Sequence, residues 1–350
     1  MQYKIAISKF GSTEHRDDLN ELSSRGIAIP HHYRFGASGG RQFSSFWCRV
    51  IDTLGHPISG FAFSVFWTRS LPGARSIRIE RVGRSLHEPI AASMGSIIRE
   101  VSAHFTGVLR LHVELFDEND ERRELLQRSL VGAGGLLQQQ SRGYAQTLRT
   151  LVDSDPEQLF KTLSANTRRD IRSTVKSGAK VGPVLDPLYV DRLDELYRQS
   201  FLRTAAAPPP ADFRAIQQDA ATQQHSVLLG VFWPTRTPPN DLVAFVWGRA
   251  HGDFVGYDIG ASERAPDLGI VPLSYSLLWE LICWSHRKGC RWFDFGGITP
   301  ADAPSDHPLR GISAFKLRFT SDRVDVGSEV WIEPNAFLSF ASRAITRIVK

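Results

Sequence analysis

The residues whose types and spacing bear most directly on chemistry lie between Arg291 and Phe319. The run Arg291-Trp292-Phe293-Asp294-Phe295-Gly296-Gly297-Ile298 is apolar, aromatic and stopped by a glycine pair. It predicts a buried strand that ends where a ligand can approach the main chain. A polar loop follows, then Gly311-Ile312-Ser313-Ala314-Phe315-Lys316-Leu317-Arg318-Phe319. A second chemical feature is cationic. Arg168, Arg172 and Lys176 repeat every four residues on a predicted helix, with Arg169 and Lys180 beside them. That spacing puts three cations on one face, where phosphates can be held. A solvated face, whose last turn tolerates cations through the helix dipole, accounts for the same pattern.

Other chemistries find no support. The chain has no Walker loop, H-E-x-x-H helix or Cys-x-x-Cys pair. His251, Asp253, Asp258, Asp294 and Asp302 fall in one half but match no metal-site spacing. His87, His104 and His112 are scattered singly, and Cys48, Cys283 and Cys290 are too few for a zinc site or a disulfide framework. Cys48 and Cys283 lie in apolar runs and read as small core residues.

The elements that must position these residues are legible from periodicity. Pro272 to Lys288 predicts a helix, with proline in its first turn, Gly289 as a left-handed cap, and Leu273, Leu277, Leu278, Leu281 and Ile282 on one face. Helix, glycine turn and buried strand together predict a crossover beside a parallel strand pair. Upstream, His225–Trp233, Leu242–Ala250 and Phe254–Gly260 read as an antiparallel meander. Asp155-Pro156 opens a helix that carries the basic residues. Asp191 to Thr204 predicts another helix, ended by Arg203 and the breaker Ala205–Pro210.

The first half alternates in the same way. Strands are expected over Phe43–Asp52, Ile58–Thr68, Arg75–Val82, Val108–Phe116 and Tyr144–Val152, and helices over Glu88–Phe105 and Asn119–Val131, after an irregular opening. Asn335 to Lys350 predicts an amphipathic helix that either rests on a membrane surface or docks back on its domain.

A chain of 350 residues predicts two domains. With 42% hydrophobic and 23% charged residues, it is ordinary for a globular protein. The formal charge of +5 is a mild excess. It permits a phosphate-bearing substrate, a tRNA or an anionic membrane surface without choosing among them. The first residues lack a signal-peptide core, and no apolar run approaches the ~20 residues of a membrane span. The expected location is the cytoplasm, including the inner face of the membrane.

Asp294-Phe295-Gly296-Gly297-Ile298 followed by Gly311-Ile312-Ser313-Ala314-Phe315-Lys316 resembles the second domain of the Fem-type peptidoglycan bridge-forming aminoacyltransferases, the FemAB-like group. The resemblance runs from about Arg75 to Phe319. It implies an α/β (α+β) chain of two tandem GNAT-like domains, 1–152 and 153–350, each a mixed, mostly antiparallel sheet flanked by helices. It further implies an N-acyltransferase moving an aminoacyl group from aminoacyl-tRNA, or an acyl group from a carrier such as CoA, to an amine of a peptidoglycan precursor, with no cofactor. Lys316 corresponds to the lysine of the family's FK motif, tied to donor binding and transfer. Phe315 would pack beside the incoming donor, and Gly296 and Gly297 would present main-chain N–H groups. Asp294 would act as general base or orient the loop. Arg203 would contact a substrate phosphate; Arg168 and Arg172 are further substrate-binding candidates on their helical spacing, not on the resemblance.

Two alternatives stand beside this reading: an amino-sugar or exopolysaccharide acceptor, and a non-catalytic scaffold that keeps the fold. One departure concerns the donor. CoA-dependent members of the superfamily carry a Q/R-x-x-G-x-G/A loop before the helix matching Pro272–Lys288. Here that place reads Ala265-Pro266-Asp267-Leu268-Gly269-Ile270-Val271. A carboxylate at a helix start opposes a pyrophosphate. Lys316, in an amphipathic stretch, is expected to be exposed. If the stretch is extended, it shares a face with Arg318.

Overall fold

The computed structural model describes residues 2–25, 27, 43–68, 71–84, 86–138, 145–153, 155–203, 211–300, 310–335 and 337–340. Its elements in chain order begin β1 (Lys4–Lys9), α1 (Thr13–Ser24), β2 (Phe43–Ile51), β3 (Pro57–Trp67), β4 (Arg75–Gly83), α2 (Glu88–Ala103), β5 (Val108–Phe116), α3 (Asp120–Gly132) and β6 (Gly135–Leu137). They continue with β7 (Gln146–Leu151), α4 (Pro156–Thr162), α5 (Ala165–Lys176), β8 (Lys180–Pro183), α6 (Val190–Leu202), α7 (Phe213–Thr222) and β9 (Ser226–Phe232). The last are β10 (Leu242–His251), β11 (Phe254–Ser262), α8 (Leu273–Arg287), β12 (Trp292–Gly297), α9 (Arg310–Lys316), β13 (Arg323–Asp325) and β14 (Glu329–Ile332).

The described backbone forms two compact units, which divide at Gln146/Thr147 and again at Arg323/Val324. In the first, the sheet order is β1-β2-β3-β4-β5-β14-β6. Its neighbours are antiparallel except β4 and β5, which run parallel and are joined through α2. The α2 stripe Ile90, Met94, Ile97, Ile98 and Val101 is fully buried in a core with Ile77, Ile79, Leu111 and Val113. Each such side chain contributes about 1.5–3 kcal/mol.

The second unit repeats the plan. Its sheet order is β13-β7-β12-β11-β10-β9-β8, with β11 and β12 parallel and joined through α8. Leu273, Leu277, Leu278, Leu281 and Ile282 pack α8 into one core. The helix ends at Gly289, whose φ of +70° suits glycine. A Cβ on Gly248 of β10 would lie 2.7 Å from Leu281 Cδ1, so that glycine lets α8 approach the sheet. Helices α6 and α7 pack on Phe245 and Trp247 in a separate core.

Several expectations are corrected. The opening is not irregular: β1 pairs along β2, and α1 follows it. Helix α1 reads TEHRDDLNELSS, too polar to show a stripe, and Leu22 is its fully buried apolar anchor. The helix expected from Asp155 is two helices, because Ser164 caps α5 by accepting the Thr167 N–H at 3.2 Å. The compact units also differ from a split into 1–152 and 153–350, because the segment from Val324 clusters with the first unit. There β14 pairs with both β5 and β6. The segment carrying Lys316 is helix α9, not an extended stretch. Ala205–Pro210 and Asp302 lie outside the described residues, and the expected C-terminal helix is described no further than Phe340. Among the described residues, no helix is long and apolar enough to cross a membrane.

Candidate functional site

The two parallel pairs differ in one respect. In the first unit, β4 and β5 stay paired from Arg75↔Val108 to Gly83↔Phe116, with register shifts after Arg75 and after Ile79. In the second, β11 and β12 pair only at Phe254↔Trp292, Val255↔Phe293 and Gly256↔Asp294. Beyond that point each strand is bulged. Trp247↔Ile259 and Gly248↔Tyr257 leave Asp258 as an extra residue in β11. Asp294↔Arg149 and Gly297↔Thr147 place two residues of β12 opposite one of β7, and Gly296 takes φ +75°. Bulges bend strands, and bending both opens a gap between them. This gap is the candidate site.

Lys316 sits in the gap. Its Nζ donates to the Gly297 carbonyl oxygen at 2.7 Å, and it lies 5.6 Å from the centre of the Tyr257 ring. The side chain is buried rather than exposed. It is held there because Ser313 Oγ accepts from both the Thr299 N–H (2.9 Å) and the Thr299 hydroxyl (3.0 Å), which ties α9 to the chain just after β12. Phe315 packs edge-on against Tyr275 of α8 at 4.8 Å, and Tyr275 stacks on Phe319 at 5.5 Å.

Asp294 is buried on β12, and its Oδ1 accepts from the Thr147 hydroxyl and, at 2.8 Å, from the Gly296 N–H. The carboxylate thus shapes the bulge, and the Gly296 N–H points inward to it rather than out to a ligand. Tyr257 had no signal in the sequence beyond a strand position. It lines the gap, and burial pushes its phenol up to about 12, so it stays neutral. A Cβ on Gly260 would lie 2.6 Å from the Tyr257 hydroxyl, so glycine there makes room for the ring.

The remaining predicted residues lie around this centre or away from it. Arg203 caps α6 and donates to the Ser262 carbonyl at 2.9 Å, which brings it to the end of β11 that has left β12. Burial, then the nearby Arg264 cation, lowers its pKa. Arg168 turns back onto the Lys161 (2.9 Å) and Leu163 (2.5 Å) carbonyls, and the Arg172 guanidinium lies 4.9 Å over the Phe160 ring. Both therefore serve the α4–α5 corner. Arg318 does not share a face with Lys316. It latches α5, donating to Asp170 at 3.2 Å while its carbonyl accepts from the Thr167 hydroxyl at 3.2 Å.

Before α8, Asp267 is paired with Arg236 through two bonds of 2.8 and 2.7 Å, and this pairing lowers its pKa. The main-chain N–H groups of Leu268, Gly269, Leu273 and Tyr275 are satisfied within the turn and the first turn of the helix. A pyrophosphate would not find these four donors free. Among the described residues, no group of three or more His, Cys, Asp or Glu could hold a metal ion.

Residues 165–309 match a family model described as an acetyltransferase (GNAT) domain. No curated protein matches the chain. Among solved structures, the fold is similar to that of FemX, with a TM-score of 0.70 at 13% identity over 93% of this chain and 97% of that one. It is also similar to L-PGS from Bacillus licheniformis, with a TM-score of 0.53 at 12% identity over 98% and 100%. The chain therefore has a tandem GNAT acyltransferase fold like that of FemX, and the splayed strand pair and Lys316 lie in its second unit.

Proposed function

We propose that the protein is an N-acyltransferase of Fem type, which moves an aminoacyl group from aminoacyl-tRNA, or an acyl group from a related carrier, onto an amine of a peptidoglycan precursor. The observation that carries this reading is the Lys316 ammonium held in the gap between β11 and β12. In the reaction the acceptor amine attacks the acyl carbonyl carbon, and a C–N bond forms as the carbonyl electrons move to oxygen. The tetrahedral intermediate collapses, the C–O bond of the ester (or C–S of a thioester) breaks, and the amine proton leaves with the departing oxygen or sulfur through solvent. This chemistry needs fixed positive charge near the oxyanion more than it needs a covalent nucleophile. Lys316 supplies the charge, Asp294 orders the strand end, Phe315 flanks the donor, and Arg203 receives an acceptor phosphate.

The likeness to FemX supports a cell-wall acceptor. The test is mass spectrometry of the full chain with charged tRNAs and acyl-CoAs against nucleotide-linked muropeptides and amino sugars. A mass gain on the muropeptide amine is expected. Transfer to amino sugars alone would replace the acceptor, and no transfer from any donor by folded protein would leave a scaffold.

A further inference from the structure

Between Glu157 and Lys180 the chain carries six cations, Lys161, Arg168, Arg169, Arg172, Lys176 and Lys180, against two carboxylates, Glu157 and Asp170. Arg168 is turned onto main-chain carbonyls. The other five are exposed. Arg169, Arg172 and Lys176 stand at i, i+3 and i+7, so they share the outer face of α5 over about 10 Å of helix. That length spans several successive phosphates along one nucleic-acid strand.

The face is poorly neutralised. Arg169 reaches Asp170 only at 3.5 Å, and Asp170 is already shared with Arg318. Lys161, Lys176 and Lys180 have no ion-pair partner among the described residues. A merely solvated helix face intersperses carboxylates at i+3 or i+4; this one does not. Val175 is the one exposed large apolar side chain on α5, so the helix lacks the apolar face needed to lie in a membrane. The same helix is latched to the segment that carries Lys316, through Thr167, Asp170 and Arg318.

We infer that the outer face of α5 is a docking surface for an RNA phosphate backbone, the body of a charged tRNA, whose esterified end then reaches Lys316. This rests on the tRNA-donor form of the proposed function. Of the two arginines expected to bind phosphate, Arg168 is turned inward and Arg172 stays on the face, flanked by Arg169 and Lys176.

The test titrates the full chain with deacylated bulk tRNA across a range of salt concentrations. The double variant Arg169→Gln/Lys176→Gln is expected to bind about tenfold or more weakly near 0.1 M salt, with a salt slope shallower by about two. Arg214→Gln, an exposed cation on α7, should bind like wild type, and all variants should keep the wild-type thermal midpoint. If wild type binds tRNA and the double variant binds equally well, the docking surface is wrong while the donor reading stands. If wild type binds no tRNA, the inference falls together with the tRNA donor, leaving acyl-CoA. If the double variant loses binding only to phosphatidylglycerol vesicles, the face serves a membrane and the inference is overturned.

Discussion

Lys316 and Gly297 join the two sequence motifs of the second unit through one hydrogen bond of 2.7 Å that spans 19 residues. A buried ammonium must be held by acceptors. The Gly297 carbonyl holds it by a dipole and carries no charge of its own. The strand end that a glycine pair opens to ligands is therefore also the strand end that fixes the cation. Motif spacing and chemistry meet at this bond.

The first prediction removes the ammonium and keeps the stem. Lys316→Met should lower single-turnover transfer by about 10²–10³. The Gly297 carbonyl loses its donor in a site where Lys316 is only 5% exposed, so urea unfolding should also show a loss of about 1–3 kcal/mol. Lys316→Arg should not restore the rate, because a planar guanidinium does not reproduce a compact ammonium. Arg318→Ala is not a neutral control, since it releases α5. Wild-type turnover by folded Lys316→Met would remove this lysine from the mechanism.

Asp294 separates two roles. An asparagine oxygen can accept the same two bonds, from the Thr147 hydroxyl and the Gly296 N–H. As a positioning residue, Asp294→Asn should keep the rate within about tenfold, and Asp294→Ala should lose more by releasing the bulge. A general base would give the reverse, a loss of about 10²–10⁴ in the asparagine variant. Rate against pH for both variants decides the matter.

Much of this arrangement is readable in the sequence, and the failures have physical causes. The α8 stripe, Gly289 and the Trp292–Gly297 run repeat at helix and strand periods, so the crossover is legible from local pattern alone. Tyr257 and the bulge at Asp258 are not, because a bulge is a property of register between two strands. β14 is four residues long and finds its place only by pairing with β5 and β6, both far away in the chain. Arg168 misleads for another reason. Its spacing suits a phosphate face, but the break at Leu163–Ser164 leaves helix-end carbonyls beside it, and it takes those instead.

Acetyl-CoA should bind poorly to the second unit. The Leu268 and Gly269 N–H groups of the turn before α8 are bonded within it, and Asp267 is clamped by Arg236. Calorimetric titration should show no site tighter than about 1 mM, corresponding to roughly 4 kcal/mol of binding free energy. Micromolar binding that Leu268→Pro or Asp267→Lys alters would locate a pyrophosphate in this turn after all.

The last prediction concerns pH and the first unit. His15 is buried between Phe10, at 4.3 Å, and Trp47, at 4.9 Å, and its Nδ1 accepts the Gly11 N–H at 3.1 Å. Burial, with a smaller push from Arg16, lowers its pKa from 6.5 to about 4. The unfolded chain therefore binds this proton at a higher pH than the native one does. Between about pH 6.5 and 4 the unfolded state holds more protons, so stability falls as pH falls, by at most ~1.4 kcal/mol per pH unit and ~3 kcal/mol in all. Above that window the contribution is constant. Nearby Asp18 acts with the opposite sign. Burial raises its pKa against the pull of Trp47 and Arg49, so around and just above pH 3.8 the native state is the one that holds the extra proton. The two are separated by difference: His15→Gln keeps an acceptor for Gly11 and removes the imidazole titration. Urea unfolding from pH 4.5 to 7.5 should show the wild-type slope and its loss in the variant. Equal slopes would mean that His15 takes up its proton in the folded protein as readily as in the unfolded chain.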